Sequence, residues 1–450
     1  MKKWTLLFLM GWAGLLSGQT FDRLPVGFIK NGTTLANPAT GGLNAPQLNA
    51  VDLDNDGITD LYIFDRIGNV HLPFLNVGTN DAPDYRFAPQ FVPYFPPDVG
   101  NFVLLRDFNG DGAMDLFGHA NQLTAPTSVK VYRGFYENGH LDFERMVFDS
   151  TDFLPFRDGV TNFRTLEIAE PDYPAFDDMD GDGDMDILTF DLTGAHVLFY
   201  RNMSQEEGFG NEKLLFDLAD DCWGRFLEDM TSPDLILSGN IDECATGLTG
   251  GGTGDDRSGG LHPGSTLLTL DADQNGLTDL ILGDIATPHL TLLSNFGTAQ
   301  TAWITAQDGN FPNYNVPVEI PDFPSVFWLD LDGDGRRDLA AAPNNKNQTP
   351  NVEVIWRYKN TGSNEAPVFE LQQKDFLAET MIDFGTGANP AFADVNADGL
   401  WDLVVGNETY FTGDGAGKDA RLHLFLNVGT KSAPVFELTD DNWLNFKQFS

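Results

Sequence analysis

The chain has 450 residues, and its 67 acidic against 26 basic side chains give a formal net charge of −41. Such a surface argues against nucleic acid or an anionic membrane as partner, because like charge repels at range and no basic run interrupts the acids. Aromatic residues are plentiful, 36 Phe, 10 Tyr and 8 Trp, and core packing is their plainest use.

The amino terminus sets the compartment. Lys2-Lys3, an apolar stretch over 4–16 and the small pair Ser17-Gly18 before Gln19 have the layout of a secretory signal peptide, residues 1–18, with 19–450 as the mature chain. The apolar stretch is too short for a membrane span, so no membrane insertion of the mature chain is expected. Secretion or display at the cell surface also gives access to millimolar calcium.

From residue 44 onward one ten-residue phrase returns six times. Its copies hold Asp52, Asp54, Asp56 and Asp60 around Gly57, and Asp107, Asn109, Asp111 and Asp115 around Gly112. Next come Asp178, Asp180, Asp182 and Asp186 around Gly183, and Asp271, Asp273, Asn275 and Asp279 around Gly276. The last two hold Asp330, Asp332, Asp334 and Asp338 around Gly335, and Asp394, Asn396, Asp398 and Asp402 around Gly399. Oxygen ligands at loop positions 1, 3, 5 and 9, with a Gly at 6 for the sharp turn, make a cage for a hard cation, and calcium tolerates such geometry better than magnesium. About six calcium ions are expected as the cofactor. Acid count alone ranks the loops at Asp52, Asp178 and Asp330 as the tightest, since the others carry one neutral Asn. Asp, Asn and Gly also bend chains without any metal, but six copies in one frame favour the cage. Position 12, where a helix-flanked EF-hand has its closing Glu, holds Ile63, Gly118, Thr189, Leu282, Ala341 and Val405.

What flanks the loops reads as strand. Val103-Leu104-Leu105 and Val326-Phe327-Trp328-Leu329 precede loops, Leu280-Ile281-Leu282 and Leu403-Val404-Val405 follow them, and alternating segments such as His196-Val197-Leu198-Phe199-Tyr200 come third. A second phrase, Asn76-Val77-Gly78-Thr79, Asn360-Thr361-Gly362-Ser363 and Asn427-Val428-Gly429-Thr430, leads into a fourth strand. Four-stranded units starting 55 to 93 residues apart predict an all-β fold, a β-propeller, since one such sheet cannot bury both faces alone. Seven blades are favoured and six also fit, the seventh being a degenerate copy at 234–239. Residues 222–264 form an irregular Gly-rich insertion or part of that blade, with recognition and a plain linker both open for it. Cys222 and Cys244, 22 residues apart, are a disulfide candidate, or else two buried thiols.

The Asp-rich loop between the first two strands of each repeat is similar to the FG-GAP/VCBS repeats of integrin α-subunit propellers and of many secreted bacterial proteins. The resemblance covers essentially the whole mature chain. It implies a calcium-bearing propeller without fixing a function, because such propellers serve in adhesion, in carbohydrate recognition and as scaffolds for polysaccharide lyases. Catalytic signals are thin. His71, His196, His289 and His423 fall in or beside predicted strands, and no nucleophile elbow or zinc motif is present. Trp223, Trp303, Trp401 and Trp443 are candidates for stacking on sugars. The reading is a calcium-binding scaffold for an extracellular protein or glycan ligand, with a calcium-assisted polysaccharide lyase using a Lys, Arg or Tyr base as the alternative, and no catalytic residue is assigned.

Overall fold

A computed structural model describes residues 26–449 apart from 150, 160–161, 229–233, 247–263, 299, 322, 347–348 and 412–418. The expected signal segment 1–18 and the glycine cluster 247–260 lie outside the described residues.

The fold is all-β, and each Asp-rich loop joins the first two strands of an antiparallel meander. The first sheet runs Pro46–Val51, Asp60–Asp65, Val70–Asn76, Tyr85–Phe87, and the second Val99–Arg106, Asp115–Ala120, Val129–Glu137, His140–Arg145. The third comprises Ala175–Asp177, Asp186–Phe190, Val197–Asn202 and Phe216–Trp223, with Pro155–Arg157 and Phe163–Thr165 added at its outer edge. Ser265–Leu270, Asp279–Asp284, Leu290–Asn295 and Ile304–Phe311 form the fourth, and Pro324–Leu329, Asp338–Pro343, Trp356–Asn360 and Phe369–Gln373 the fifth. The sixth holds Asn389–Ala393, Asp402–Gly406, Leu422–Asn427 and Val435–Asp440, with Gly27–Lys30 and Thr33–Thr34 at its edge. In every sheet the residue before the loop pairs with the Asp at loop position 9, as Val51 with Asp60 and Leu329 with Asp338.

The second phrase is explained by its Asn. Asn76 Oδ1 accepts the Gly78 and Asp84 N–H groups at 3.0 and 2.9 Å, and Asn360 and Asn427 repeat the pattern. A Cβ at Gly78 would stand 2.2 Å from the Ala82 carbonyl oxygen, so only glycine fits the turn it seats.

Apolar side chains of adjacent sheets interlock: Tyr62 and Phe64 with Val103 and Leu105, Phe190 with Leu267 and Leu282, Ile281 with Val326 and Tyr358. Burial of each large side chain contributes about 1.5–3 kcal/mol. The first strands of five sheets succeed one another in a circle. Pro46–Val51 packs beside Val99–Arg106, Ala175–Asp177 beside Ser265–Leu270, the latter beside Pro324–Leu329, and that strand returns against Pro46–Val51. Arg106 Nε, donating to the Phe176 carbonyl at 3.2 Å, ties the second sheet to the third. This is a propeller-like arrangement.

The spacing of the loops favours seven blades, one of them degenerate, with six also fitting; the described residues form six four-stranded meanders, of which five pack in succession. The fifth sheet packs directly on the first, which leaves no place between them for the sixth. The sixth sheet keeps its own cluster of Leu403, Val405, Phe425 and Phe436, and its first strand, Asn389–Ala393, is exposed along its whole length. The stretch 234–239 supplies Ile236–Leu237 to a two-stranded ribbon with Phe226–Leu227. Among the described residues no helix is long and apolar enough to cross a membrane.

Candidate functional site

All six loops share one hydrogen-bonding plan. The position-1 carboxylate accepts the N–H of the position-6 glycine, at 2.9 Å from Gly57 to Asp52, from Gly112 to Asp107 and from Gly276 to Asp271, and at 2.8 to 3.0 Å in the other loops. Those glycines all have positive φ, +82° at Gly57, which L side chains rarely adopt. Position 5 accepts the N–H of position 7, as Asp56 does from Ile58 at 2.7 Å.

Position 9 is buried in every loop, with Asp60 2% exposed and Asp115, Asp186, Asp279, Asp338 and Asp402 at 0%. Its two oxygens are used twice over. In the first loop Asp60 takes the N–H of Leu53 at 2.8 Å and of Asn76 at 2.6 Å, stapling the loop to the third strand, and Asp186, Asp279 and Asp402 do the same. Burial pushes the Asp60 and Asp115 carboxyls up to about 7, Asp186 to about 8 and Asp279 to about 6. These acids are structural staples as well as candidate ligands.

Positions 1, 3 and 9 converge. Carboxylate oxygens of Asp52, Asp54 and Asp60 lie within 4.8 Å of one another, as do those of Asp178, Asp180 and Asp186 and of Asp271, Asp273 and Asp279. In the first loop the Asp54 Oδ1 atom is buried without a hydrogen-bond partner, and burial with its neighbours Asp56 and Asp52 raises the Asp54 pKa. That cluster could hold a metal ion.

The fifth loop holds the same acids in different company. Asp332 pairs with Arg357 at 2.6 Å and Lys359 at 2.5 Å, Asp334 with Lys359 at 2.8 Å and Arg336 at 2.5 Å, and Asp338 with Arg357 at 2.8 Å. Hydrogen bonds from Arg336 and Lys359 hold the Asp334 carboxyl well below the usual range. Arg133 pairs with Asp111 at 3.0 Å in the second loop and Arg201 with Asp180 at 2.9 Å in the third. Arg133, Arg201 and Lys359 occupy one register position. Leu75, Arg133, Arg201, Ser294, Lys359 and Leu426 each follow the residue paired with the first apolar residue after position 9. Three loops carry Arg or Lys there and three carry Leu or Ser.

A cavity of about 260 Å³ lies at the centre of the five sheets, lined from their first strands by Leu48, Leu105, Phe176, Leu267 and Phe327. Arg106, Asp177, Thr269, Trp328 and Arg337 line it at the loop end. Beyond its other end the buried Arg66 guanidinium donates to the Asn344 carbonyl at 2.6 Å, Glu170 at 3.0 Å and Pro171 at 3.3 Å, tying the first, third and fifth sheets together.

Cys222 and Cys244 are joined in a disulfide, their Cα atoms 6.1 Å apart. Trp223 is buried, Trp303 donates its indole N–H to the Ser238 carbonyl at 2.9 Å, Trp443 is half-buried, and Trp401 is exposed on the sixth sheet. None of the four lines the cavity, whereas Trp328 does. Among the histidines, His71 bonds the Tyr62 hydroxyl at 2.7 Å and His289 the Val318 carbonyl at 2.8 Å, and burial depresses His71 and His423 to about 4.

An FG-GAP-like repeat is recognised at residues 330–405, the fifth loop through the second strand of the sixth sheet. No curated protein matches the chain by sequence. Among solved structures, a lectin from Agrocybe aegerita, described as specifically recognising non-reducing terminal N-acetylglucosamine, matches with TM-score 0.30, 16% identity and coverage of 88% of this chain and 79% of that one. A putative oxidoreductase (glucose dehydrogenase) from Thermus thermophilus matches with TM-score 0.34, 14% identity and coverage of 71% and 98%. At those scores neither likeness bears on what this chain does.

Proposed function

We propose that the chain is a secreted or cell-surface repeat scaffold, braced by calcium, whose loop face engages a glycan or protein. The observation that carries the reading is the convergence of Asp52, Asp54 and Asp60 beside the buried, unpartnered Asp54 Oδ1. Oxygen donors alone on a flexible loop suit calcium. Asp52, Asp54, Asp56 and Asp60 would hold it in the first loop and Asp271, Asp273, Asn275 and Asp279 in the fourth, where among the described residues no side-chain cation is in place. The sixth loop, with Leu426 in the key position, belongs with them. The fifth loop does not fit without rearrangement, because Lys359 and Arg357 already neutralise its acids. Bound calcium supplies charge neutralisation and a cross-link within each open loop.

A binding role is favoured over lyase chemistry. Burial pushes the phenol of Tyr173, the lining tyrosine, upward and away from use as a base. Purified mature chain, stripped of metal, should regain a higher melting temperature with calcium than with equal magnesium, and a glycan and surface-protein screen should give ligands that depend on calcium. Identical behaviour with and without calcium would contradict the reading, and unsaturated products from acidic polysaccharides would favour the lyase.

A further inference from the structure

The repeat is regular at the ligand positions of the loops and irregular one and two residues before them. Those preceding pairs end the first strands around the cavity: Ala50-Val51, Leu105-Arg106, Phe176-Asp177, Thr269-Leu270 and Trp328-Leu329. A scaffold needs the loops alike and has no use for a different side chain at each mouth position. Recognition does.

Arg106, from one of these pairs, and Arg337, at position 8 of the fifth loop, bring two guanidinium groups to the mouth in a chain of net charge −41. Most arginines here hold a carboxylate, among them Arg133, Arg157, Arg201, Arg225 and Arg357. Arg106 and Arg337 have no carboxylate within 4.0 Å among the described residues. Arg106 spends Nε on the Phe176 carbonyl and one terminal nitrogen on the Leu105 carbonyl, at 3.2 and 2.8 Å. Arg337 lies over the Trp328 ring, 3.5 Å from its centroid, while the indole N–H donates to the Arg337 carbonyl at 3.0 Å. Packing therefore positions both cations, and both line the one mouth; burial and the charge of Arg106 lower the Arg337 pKa, against Asp177 and Glu365.

Resting on the scaffold reading above, we propose that the loop-end mouth of the central cavity binds a sugar acid, its carboxylate held between Arg106 and Arg337. Guanidinium groups left unpaired suit a planar carboxylate. Asp177, whose Oδ2 accepts from Thr269 Oγ1 at 2.8 Å, supplies an acceptor for sugar hydroxyls. The apolar walls from Leu48, Leu105 and Met114 suit the C–H face of a pyranose, and about 260 Å³ is room for one such ring. An acidic peptide side chain would satisfy the arginines and leave the hydroxyl acceptor and the apolar wall unused.

Calorimetric titration of the full mature chain in millimolar calcium tests this with galacturonate, glucuronate, mannuronate and sialic acid. Each is paired with its neutral or carboxyl-reduced counterpart, and an oligoglutamate peptide is run beside them. At least one acid should bind, its reduced form should bind about tenfold more weakly or not at all, and Arg106→Gln or Arg337→Gln should each cost about tenfold. Arg337→Lys should retain part of the affinity, and unchanged melting temperatures would show that the variants fold. The reduced ligand asks the same question without altering the protein. Binding of no sugar acid, equal binding of the reduced form, or preference for oligoglutamate overturns the proposal. If neutral glycans or proteins from the wider screen still bind with calcium, the scaffold reading stands without it; if nothing binds in either assay, both fall.

Discussion

The loops at Asp52 and Asp330 carry the same four acids in the same register, yet they solve the problem of crowded charge in opposite ways. At Asp330 the third strand brings Arg357 and Lys359 over the loop, and three carboxylates find cationic partners within 2.8 Å. At Asp52 the corresponding strand positions are Pro73 and Leu75, and one carboxylate oxygen is left buried and unpartnered. On the proposed reading, formal acid count would be a poor guide to cation affinity. What would decide it is whether the neighbouring strand has already brought the counter-charge.

The largest effect should come from chelation. An ion bound only by the folded state stabilises by about 2.7 kcal/mol per site at a hundredfold excess over its dissociation constant, and the loops at Asp52, Asp271 and Asp394 would add such contributions. EGTA should lower the melting temperature markedly, by calorimetry; an unchanged melt after verified metal removal would break the comparison at its root.

Next in size are matched substitutions at position 3. Asp332→Ala strips Lys359 and Arg357 of a half-buried partner and should cost about 1–2 kcal/mol whether or not calcium is present. Asp54→Ala removes an acid that repels Asp52 and Asp56, so without calcium it should be neutral or slightly stabilising, and destabilising only with calcium. Denaturant titrations of both variants in the two conditions read this out, and parallel behaviour would erase the distinction.

The smallest effect belongs to the second loop. Arg133 and Asp111 are 51% and 37% exposed, so their pairing is worth no more than about 1 kcal/mol. Arg133→Leu should leave the melting temperature nearly unchanged and tighten calcium there by no more than about fivefold, by titration. A larger gain would mean that even exposed resident cations govern these sites.

Much of this was legible from the sequence. Alternation around the loops gave the strands, and the 16-residue spacing from Asp60 to Asn76, repeated from Asp186 to Asn202 and from Asp279 to Asn295, is the span over which one buried carboxylate staples both ends of the unit. The resident cations were legible too, one residue before the Asn of the third strand at Arg201 and Lys359, where the first loop has Leu75, but only once the register is known. The circle of five was hidden because the sixth repeat has the same local pattern as the rest. Its exclusion depends on the fifth sheet closing against the first, a long-range contact that no local periodicity encodes. Arg106 and Trp328 were hidden for the same reason, since only the circle brings them to one mouth.

The most direct test is to give the fifth loop the third-strand residues of the open kind. Arg357→Leu with Lys359→Leu should raise the number of calcium ions bound tightly per chain by one, counted by equilibrium dialysis against wild type. A wild-type protein that already fills the Asp330 loop as tightly as the Asp52 loop, or a count unchanged by the double substitution, would contradict the account.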